Sequence, residues 1–562
     1  MEKDLREALL IFALANAVKH SSLPKAGTVI GMVMGQYPEF RSRSKEVSVL
    51  MNEVLKEVAA LSPTEREERL RDLAPDVADD ISRPRVHVKE LPHLEKSDHG
   101  VVMRFAPNPS GPLHLGHARA AVLNDAYVKR YGGTYILRIE DTDPKRVDPE
   151  AYRMVVEDIE WLGLTIHDVV YQSDRFDLYY KYSKELIERG GAYVCTCEND
   201  QFRELKQQKT ACPCRPLAVE ENLALWEKML AGEFYEGEAS VRVRTDLDHP
   251  DPAMRDFPAF RILRQPLHPR IDAIVYPLMN FSVAVDDHLL GVTHVIRGKD
   301  HIANTRRQRY IFDYFGWDIP VYRHYGRMGI EGVVLSTSQM RQGIVSGEYE
   351  GWDDIRLGTL RALSRRGIAP GAVRQAVVEI GLGETDISFS WDNLYAQNRM
   401  IVDPVANRYF FVPHPVALPI VPAPHHVAHA LLHPNEPAKG KRVLPFTGTV
   451  LLPREELEKN PPMIRLKDLF NVRVTCGKEG YILTYAGDQL SDARDLKAPI
   501  IQWLPADCAL PCTLRKQEGD VEGICEPGVV REEGSVVQFE RVGFARIDDI
   551  TGDRVIAYFT HR

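Results

Sequence analysis

Apolar residues recur at intervals of three and four through Leu5–Val18, Ala26–Gln36 and Lys45–Leu61, the spacing that lays one helix face on a core. Thr64–Leu73 is densely charged and opens on a good capping sequence, so it too is predicted helical. Residues 1–95 therefore read as a helical appendage. From 96 to 330, short apolar runs such as Val101–Phe105 alternate with helix-like segments, which predicts a doubly wound parallel sheet. A stretch from about 187 to 272 breaks that order and reads as an insertion. Within the 331–400 connection, helical spacing returns across 345–400, in Asp353–Arg365 and Pro370–Leu382. Beyond 401 the runs are short, β-branched or aromatic, and broken by turns: Gly448–Leu452, Asn471–Thr475, Tyr481–Thr484 and Val555–Phe559. The expected fold is multidomain α/β: a helical appendage, a Rossmann-like parallel sheet with an insertion, a helical connection, and C-terminal β-barrel domains over 401–562.

One junction in this pattern carries chemistry. The predicted strand Val101–Phe105 runs into Ala106–Pro112, whose prolines and glycine can continue neither strand nor helix. A helix-forming run then starts at His117 and stops at Gly132–Gly133. A strand feeding a helix through a tight loop offers unpaired N–H groups and a positive dipole end to an anion. His114 and His117 share one side of the first turn, and Gly116 allows close backbone approach. A phosphate site is the functional reading; a metal pair or a polar helix cap is the alternative.

Cys195, Cys197, Cys212 and Cys214 form two CxC pairs separated by fourteen residues, a set suited to tetrahedral structural zinc. Disulfide or redox pairing and an abandoned metal site are the alternatives. Cys476, Cys508, Cys512 and Cys525 are dispersed and read as packing residues. His425, His426, His429 and His433 lie in a proline-rich stretch with no interleaved acid or cysteine, which favours a linker or exposed loop over a metal site. Eight cysteines in 562 residues, with no secretory signal or membrane-length apolar run, lead us to expect a cytoplasmic protein without a membrane partner. The net charge of −9 does not announce nucleic-acid binding, but local basic surfaces suffice for it, and Asn304–Tyr310 and Ser42–Glu46 are the candidates.

Residues 104–117 resemble the ATP-binding signature of class I aminoacyl-tRNA synthetases, in the form carried by the glutamyl/glutaminyl subgroup. The resemblance implies that Pro107, Pro109, Ser110, Gly111, His114, Gly116 and His117 bind ATP. Tyr135–Pro144 resembles the subgroup's glutamate-binding strand, which implies that Arg104 holds the substrate α-carboxylate and Glu140 its α-amino group. Asn280–His301 is similar to the second half of the nucleotide-binding fold, and Arg297 stands where glutamyl enzymes meet the side-chain carboxylate. Glutaminyl enzymes carry an uncharged residue there, and a buried cation opposite an amide is unfavourable by several kcal/mol in order of magnitude. Two further substrate contacts of bacterial glutamyl enzymes, a tyrosine and an asparagine, fall at Met279 and Val283 and do not carry over.

Val334–Arg341 lies where the family has its mobile KMSKS loop, which closes on the phosphates. Ser336, Thr337, Ser338 and Gln339 are the matched positions, with Thr337 and Gln339 in place of lysine and Arg327 or Arg341 as substitute cations. The helical appendage resembles that of archaeal-type glutamyl and glutaminyl enzymes, and the C-terminal half their two-barrel anticodon-binding half. The implied reaction is ATP-dependent ligation of glutamate to tRNA(Glu) through a glutamyl adenylate, with Mg²⁺ on the triphosphate and structural zinc in the insertion. The implied reach extends to tRNA(Gln), with an amidotransferase correcting that product, and the family default is a monomer. A glutamine–tRNA ligase of the same build is the nearest rival. A zinc-containing tRNA-binding protein that lost catalysis is a rival of another class.

Overall fold

The computed structural model describes the chain except for residues 1–4, 21–22, 25, 38–39, 41–42, 76, 79–90 and 478–479. The chain divides into two compact units, Met1–Lys89 and Glu90–Arg562. In the first, α1 (Leu5–His20), α2 (Ala26–Gln36), α3 (Ser44–Ala60) and α4 (Pro63–Leu73) bury Leu9, Leu14, Val29, Val33, Val47 and Val54 in a common core. The cap of α4 is Ser62. Its hydroxyl accepts the Glu65 N–H at 3.3 Å while the Glu65 carboxylate accepts the Ser62 N–H at 2.7 Å, a reciprocal capping box. Of the basic candidate at Ser42–Glu46, Ser42 lies outside the described residues and Arg43 is paired with Glu46 at 2.7 Å.

The second unit begins earlier than the appendage pattern implied, because Leu91 and Leu94 belong to its core beside Tyr127. Its parallel sheet contains β1 (Val101–Phe105), β2 (Gly133–Ile139), β3 (Asp168–Tyr171), β8 (His294–Gly298) and β9 (Val321–Tyr325) in the order β3-β2-β1-β8-β9. All four pairings are parallel. The order reverses between β1 and β8, so the crevice beyond their carboxyl ends is the switch point where doubly wound sheets bind ligands. Arg104 and Arg297 stand at those two ends.

The insertion is a four-stranded antiparallel sheet of β4 (Ala192–Cys195), β5 (Ser240–Val243), β6 (Pro258–Ile262) and β7 (Val275–Pro277), joined to the parallel sheet through α10 (Met279–Leu289). Met279 and Val283 are thus helical. Of the predicted helix Asp353–Arg365, only Leu360–Arg365 is helical. The backbone before it is used elsewhere: Leu357 bridges Val334 and Thr359 bridges His114. The C-terminal part contains two barrel-like seven-stranded sheets. Val427–Leu431 is a strand paired with Lys441–Pro445, and the buried His433 meets the Asp403 carbonyl at 2.9 Å, so the histidine-rich stretch is no linker. Its alternation of buried Ala428 and Ala430 with exposed Val427 and His429 is too short and too histidine-rich to stand out in sequence. Cys512 and Cys525 are buried, whereas Cys476 is exposed. Among the described residues no helix is long and apolar enough to cross a membrane.

Candidate active site

His114 is the N-cap of the helix Leu115–Tyr131 (α5 here), and its ring stacks on that of His117 with centroids 3.7 Å apart. His114 Nδ1 accepts the Gly116 N–H at 3.1 Å, and His117 Nδ1 accepts the His114 N–H at 3.4 Å. With both Nδ1 atoms acting as acceptors, each Nε2 carries the proton and is a donor. Burial pushes His114 well below its ordinary range, and the neighbouring His117 adds to this; burial alone takes His117 down to about 4. The pair therefore offers hydrogen bonds rather than positive charge. Gly116 makes room for the His114 ring, since a Cβ there would lie 2.8 Å from Cε1. Pro107 and Pro109 fix the loop through their carbonyls, which accept the N–H of Glu140 at 2.9 Å and of Asp148 at 2.8 Å.

The depressed His117 gives a pH signature. The unfolded chain takes up its proton near 6.5 and the folded chain only near 4, so the unfolded state binds more protons between those values. We predict that stability falls as pH drops from 6.5 towards 4, by up to about 3 kcal/mol from this residue, and that His117→Gln flattens the profile in thermal melts. A variant with the same slope as the wild type would contradict the assignment.

Beyond β1 and β8 lies a cleft of about 230 Å³ lined by Arg104, Glu140, Met279, Val283, Arg297 and His301 among others. A larger cleft of about 640 Å³ lies against α6 (Pro149–Trp161), but its charges pair with one another, and the convergent unpaired chemistry is in the smaller one. Asp287, fully buried on α10, holds the floor of the smaller cleft. It accepts from Arg104 Nε at 3.1 Å and Nη2 at 3.2 Å, and from Arg138 Nη1 at 2.6 Å. Burial would raise the Asp287 carboxyl, yet Arg104 and Arg138 hold it below its usual range. Asp286 is likewise filled by Gln172 at 2.8 Å, Arg175 at 2.7 Å and Tyr179 at 2.7 Å. Glu140 accepts from Arg138 at 2.9 Å through Oε1; Oε2 has no protein donor among the described residues.

Arg297 differs from its neighbours. It is 8% exposed and pairs with no carboxylate among the described residues. Its Nη2 donates to Thr305 Oγ1 and, at 2.9 Å, to Gln308 Oε1, and its guanidinium lies 5.0 Å from the Tyr322 ring. Arg297 Nε, Gln308 Nε2 and the Tyr322 hydroxyl are all buried without a partner. Burial, with Arg104 adding repulsion, lowers Arg297 to about 10, so it stays charged at pH 7. Asp286, Asp287, Arg138 and Gln308 escape a sequence reading; the one available signal was a pair of adjacent aspartates inside an apolar run.

Val334–Arg341 is part loop and part helix: Ser336 caps α12 (Thr337–Val345), accepting the Gln339 N–H at 3.5 Å. Ser336, Ser338 and Gln339 are exposed. Thr337 sits so close to the first loop that a Cβ on Gly111 would lie 2.7 Å from its Cγ2. Arg341 reaches the Ser110 carbonyl at 2.5 Å and Asp148 at 2.8 Å, so its charge is already matched, which weakens it as a substitute cation. Of the basic candidate at Asn304–Tyr310, Arg306 and Arg309 are exposed while Arg307 bonds the Ala253 carbonyl at 2.9 Å.

The four cysteines Cys195, Cys197, Cys212 and Cys214 converge, with their sulfurs all within 4.8 Å of one another. Cys195–Cys212 and Cys197–Cys214 sulfurs are 4.0 and 3.7 Å apart. Four sulfurs at about 2.3 Å from one ion in a tetrahedron are about 3.8 Å apart, so the set fits zinc and exceeds any S–S bond. The Cys195 thiol, Tyr193 and backbone N–H groups pull Cys212 down to about 5, towards the thiolate a metal needs.

A family model described as tRNA synthetases class I (E and Q), catalytic domain, matches residues 100–404. Two anti-codon binding domain models of the same group match residues 406–486 and 500–548. Glutamate–tRNA ligases of Methanoculleus marisnigri, Methanospirillum hungatei JF-1 and Pyrococcus abyssi are 64%, 62% and 47% identical to this chain, each over 100% of both chains.

Proposed function

This chain belongs to the class I tRNA synthetases of the glutamate and glutamine group, and we propose that it selects glutamate through Arg297 and joins it to tRNA(Glu). It is an ATP-dependent ligase: full-length relatives named glutamate–tRNA ligase support glutamate over glutamine as the amino acid. The observation that carries the selection is the buried, unmatched charge of Arg297. Among the described residues, the guanidinium groups of Arg104, Arg138, Arg175 and Arg297 in the network face only the carboxylates of Asp286, Asp287 and Glu140. Glutamate brings two carboxylates and one ammonium, a net negative charge that balances the surplus cation. Glutamine brings none and would leave Arg297 unpaired.

In the first step an oxygen of the glutamate α-carboxylate attacks the α-phosphorus of ATP. The bond to pyrophosphate breaks and glutamyl adenylate forms. Arg104 would orient the α-carboxylate through its remaining Nη1, and Glu140 Oε2 would take the α-ammonium group. His114 and His117 would donate from Nε2 to phosphate oxygens, while Ser110, Gly111 and the Ser336–Gln339 turn shape the phosphate side. Class I chemistry uses ATP with Mg²⁺, which neutralises the triphosphate. In the second step a hydroxyl of the tRNA terminal ribose attacks the acyl carbon and AMP leaves. No side-chain nucleophile is required. The proposal extends to tRNA(Gln) as a second acceptor, with an amidotransferase acting on the product, and to a cytoplasmic monomer, where translation consumes charged tRNA. Aminoacylation of purified tRNA(Glu) and tRNA(Gln) transcripts with labelled glutamate tests the acceptor range; no charging of tRNA(Glu) would sink it.

The cysteine set would hold zinc as a closed structural site, supplying cross-linking rather than catalysis. We predict about one zinc per chain by elemental analysis, lost in Cys212→Ser together with thermal stability of the insertion. Native protein with four titratable thiols here and no metal would contradict this.

A further inference from the structure

Behind the histidine turn lies an acid that the mechanism above leaves unused. Asp158, on α6, is 3% exposed. Its Oδ2 accepts the Leu113 N–H at 2.7 Å, and its Oδ1 lies 3.1 Å from Arg361 Nε. Arg361 is held in turn by Glu157 at 2.6 Å. Leu113 immediately precedes His114, and its carbonyl accepts the Leu360 N–H at 2.9 Å. One strip of chain then ties both phosphate-facing segments together. The Gly358 carbonyl accepts the Leu115 N–H at 3.0 Å, and the Gly358 N–H donates to the Val334 carbonyl at 3.2 Å. Asp158 grips the turn through Leu113 and the strip through Arg361.

We propose that Asp158 is a positioning residue for adenylate formation: by fixing Leu113 and Arg361 it sets the His114–His117 pair and the Val334–Arg341 segment in one register against the triphosphate. A charge is an expensive way to fill this place. Burial raises Asp158 to about 7 despite Arg361, and apolar residues of similar volume often serve stability as well or better. What a carboxylate supplies is a directed acceptor for Leu113 and a negative charge against Arg361 at once, joining elements that are distant in sequence. The inference rests on the ATP reading of His114 and His117.

The test is pyrophosphate exchange by the full-length protein in the presence of tRNA, with thermal melts on every variant. Asp158→Ala is expected to lower kcat about tenfold or more and raise KM for ATP, with KM for glutamate within about twofold, because Arg104, Glu140 and Arg297 lie outside the clasp. Asp158→Asn keeps an acceptor for Leu113 without the charge and should recover part of kcat; it also serves if the alanine variant fails to fold. Combining Asp158→Asn with Arg361→Gln should cost little more than the worse single change, as for two ends of one contact. Folded variants with wild-type kcat and ATP KM would overturn the proposal and leave Asp158 a structural tie. So would equal losses in the ATP and glutamate KM values. A wild-type protein without exchange would sink the ATP reading instead.

Discussion

Arg297→Gln is expected to lower kcat/KM for glutamate activation by roughly 10²- to 10³-fold, the cost of about 3–4 kcal/mol for leaving a substrate carboxylate unpaired in a buried site. The fold should survive, and thermal stability should hold or rise. Burial already disfavours this guanidinium, as its lowering to about 10 shows, and no carboxylate among the described residues loses a partner when it goes. Activity on glutamine should fall much less, so the ratio of the two kcat/KM values narrows. Arg323→Gln, on the adjacent strand but half-exposed and paired with Glu95 at 2.6 Å, is the control and should leave exchange unchanged. Parallel loss for both amino acids would mean that Arg297 acts on the site as a whole rather than on the side-chain carboxylate.

Asp287→Asn should have the larger effect on stability. The substitution removes the charge that balances Arg104 and Arg138 together, leaving two buried guanidinium groups short of their partner. Breaking such a pair costs about 3–5 kcal/mol, so the melting temperature should fall by roughly 5 °C or more. Exchange should fall about 10²-fold or more at temperatures where the protein is folded, because an amide keeps one oxygen and Arg104 loses one of the two contacts that aim it, with the charge. Asp174→Asn offers the contrast. Asp174 is half-exposed and pairs with Arg270 at 2.8 Å, and its loss should cost under about 1 kcal/mol. Equal effects of the two substitutions would show that the buried network is not what holds the cleft.

The parallel-sheet class and the strand–loop–helix junction at the site were legible because they follow from local signals. Apolar runs around Val101 and the breakers Pro107, Pro109 and Gly111 mark a strand, a loop and a helix start without tertiary information. Arg104, Glu140 and Arg297 were legible through motif resemblance, and all three do line one cleft. What escaped was whatever depends on partners far away in sequence. Asp287 meets Arg104 across 183 residues and Asp158 meets Leu113 across 45, and neither acid has a local pattern that marks it. The predicted helix from Asp353 failed for the same reason: backbone at Leu357–Thr359 bridges Val334 and His114 instead. The protonation of His114 and His117 was not legible either, because burial, which sets it, cannot be read from spacing.

Selection of glutamate by one uncompensated buried cation is tested most directly by pyrophosphate exchange on the wild-type protein with glutamate and with glutamine, each with tRNA present. The unmatched charge of Arg297 predicts a kcat/KM for glutamate exceeding that for glutamine by about 10²-fold or more, with the preference lost in Arg297→Gln. Comparable exchange with both amino acids, or a preference for glutamine, would contradict it.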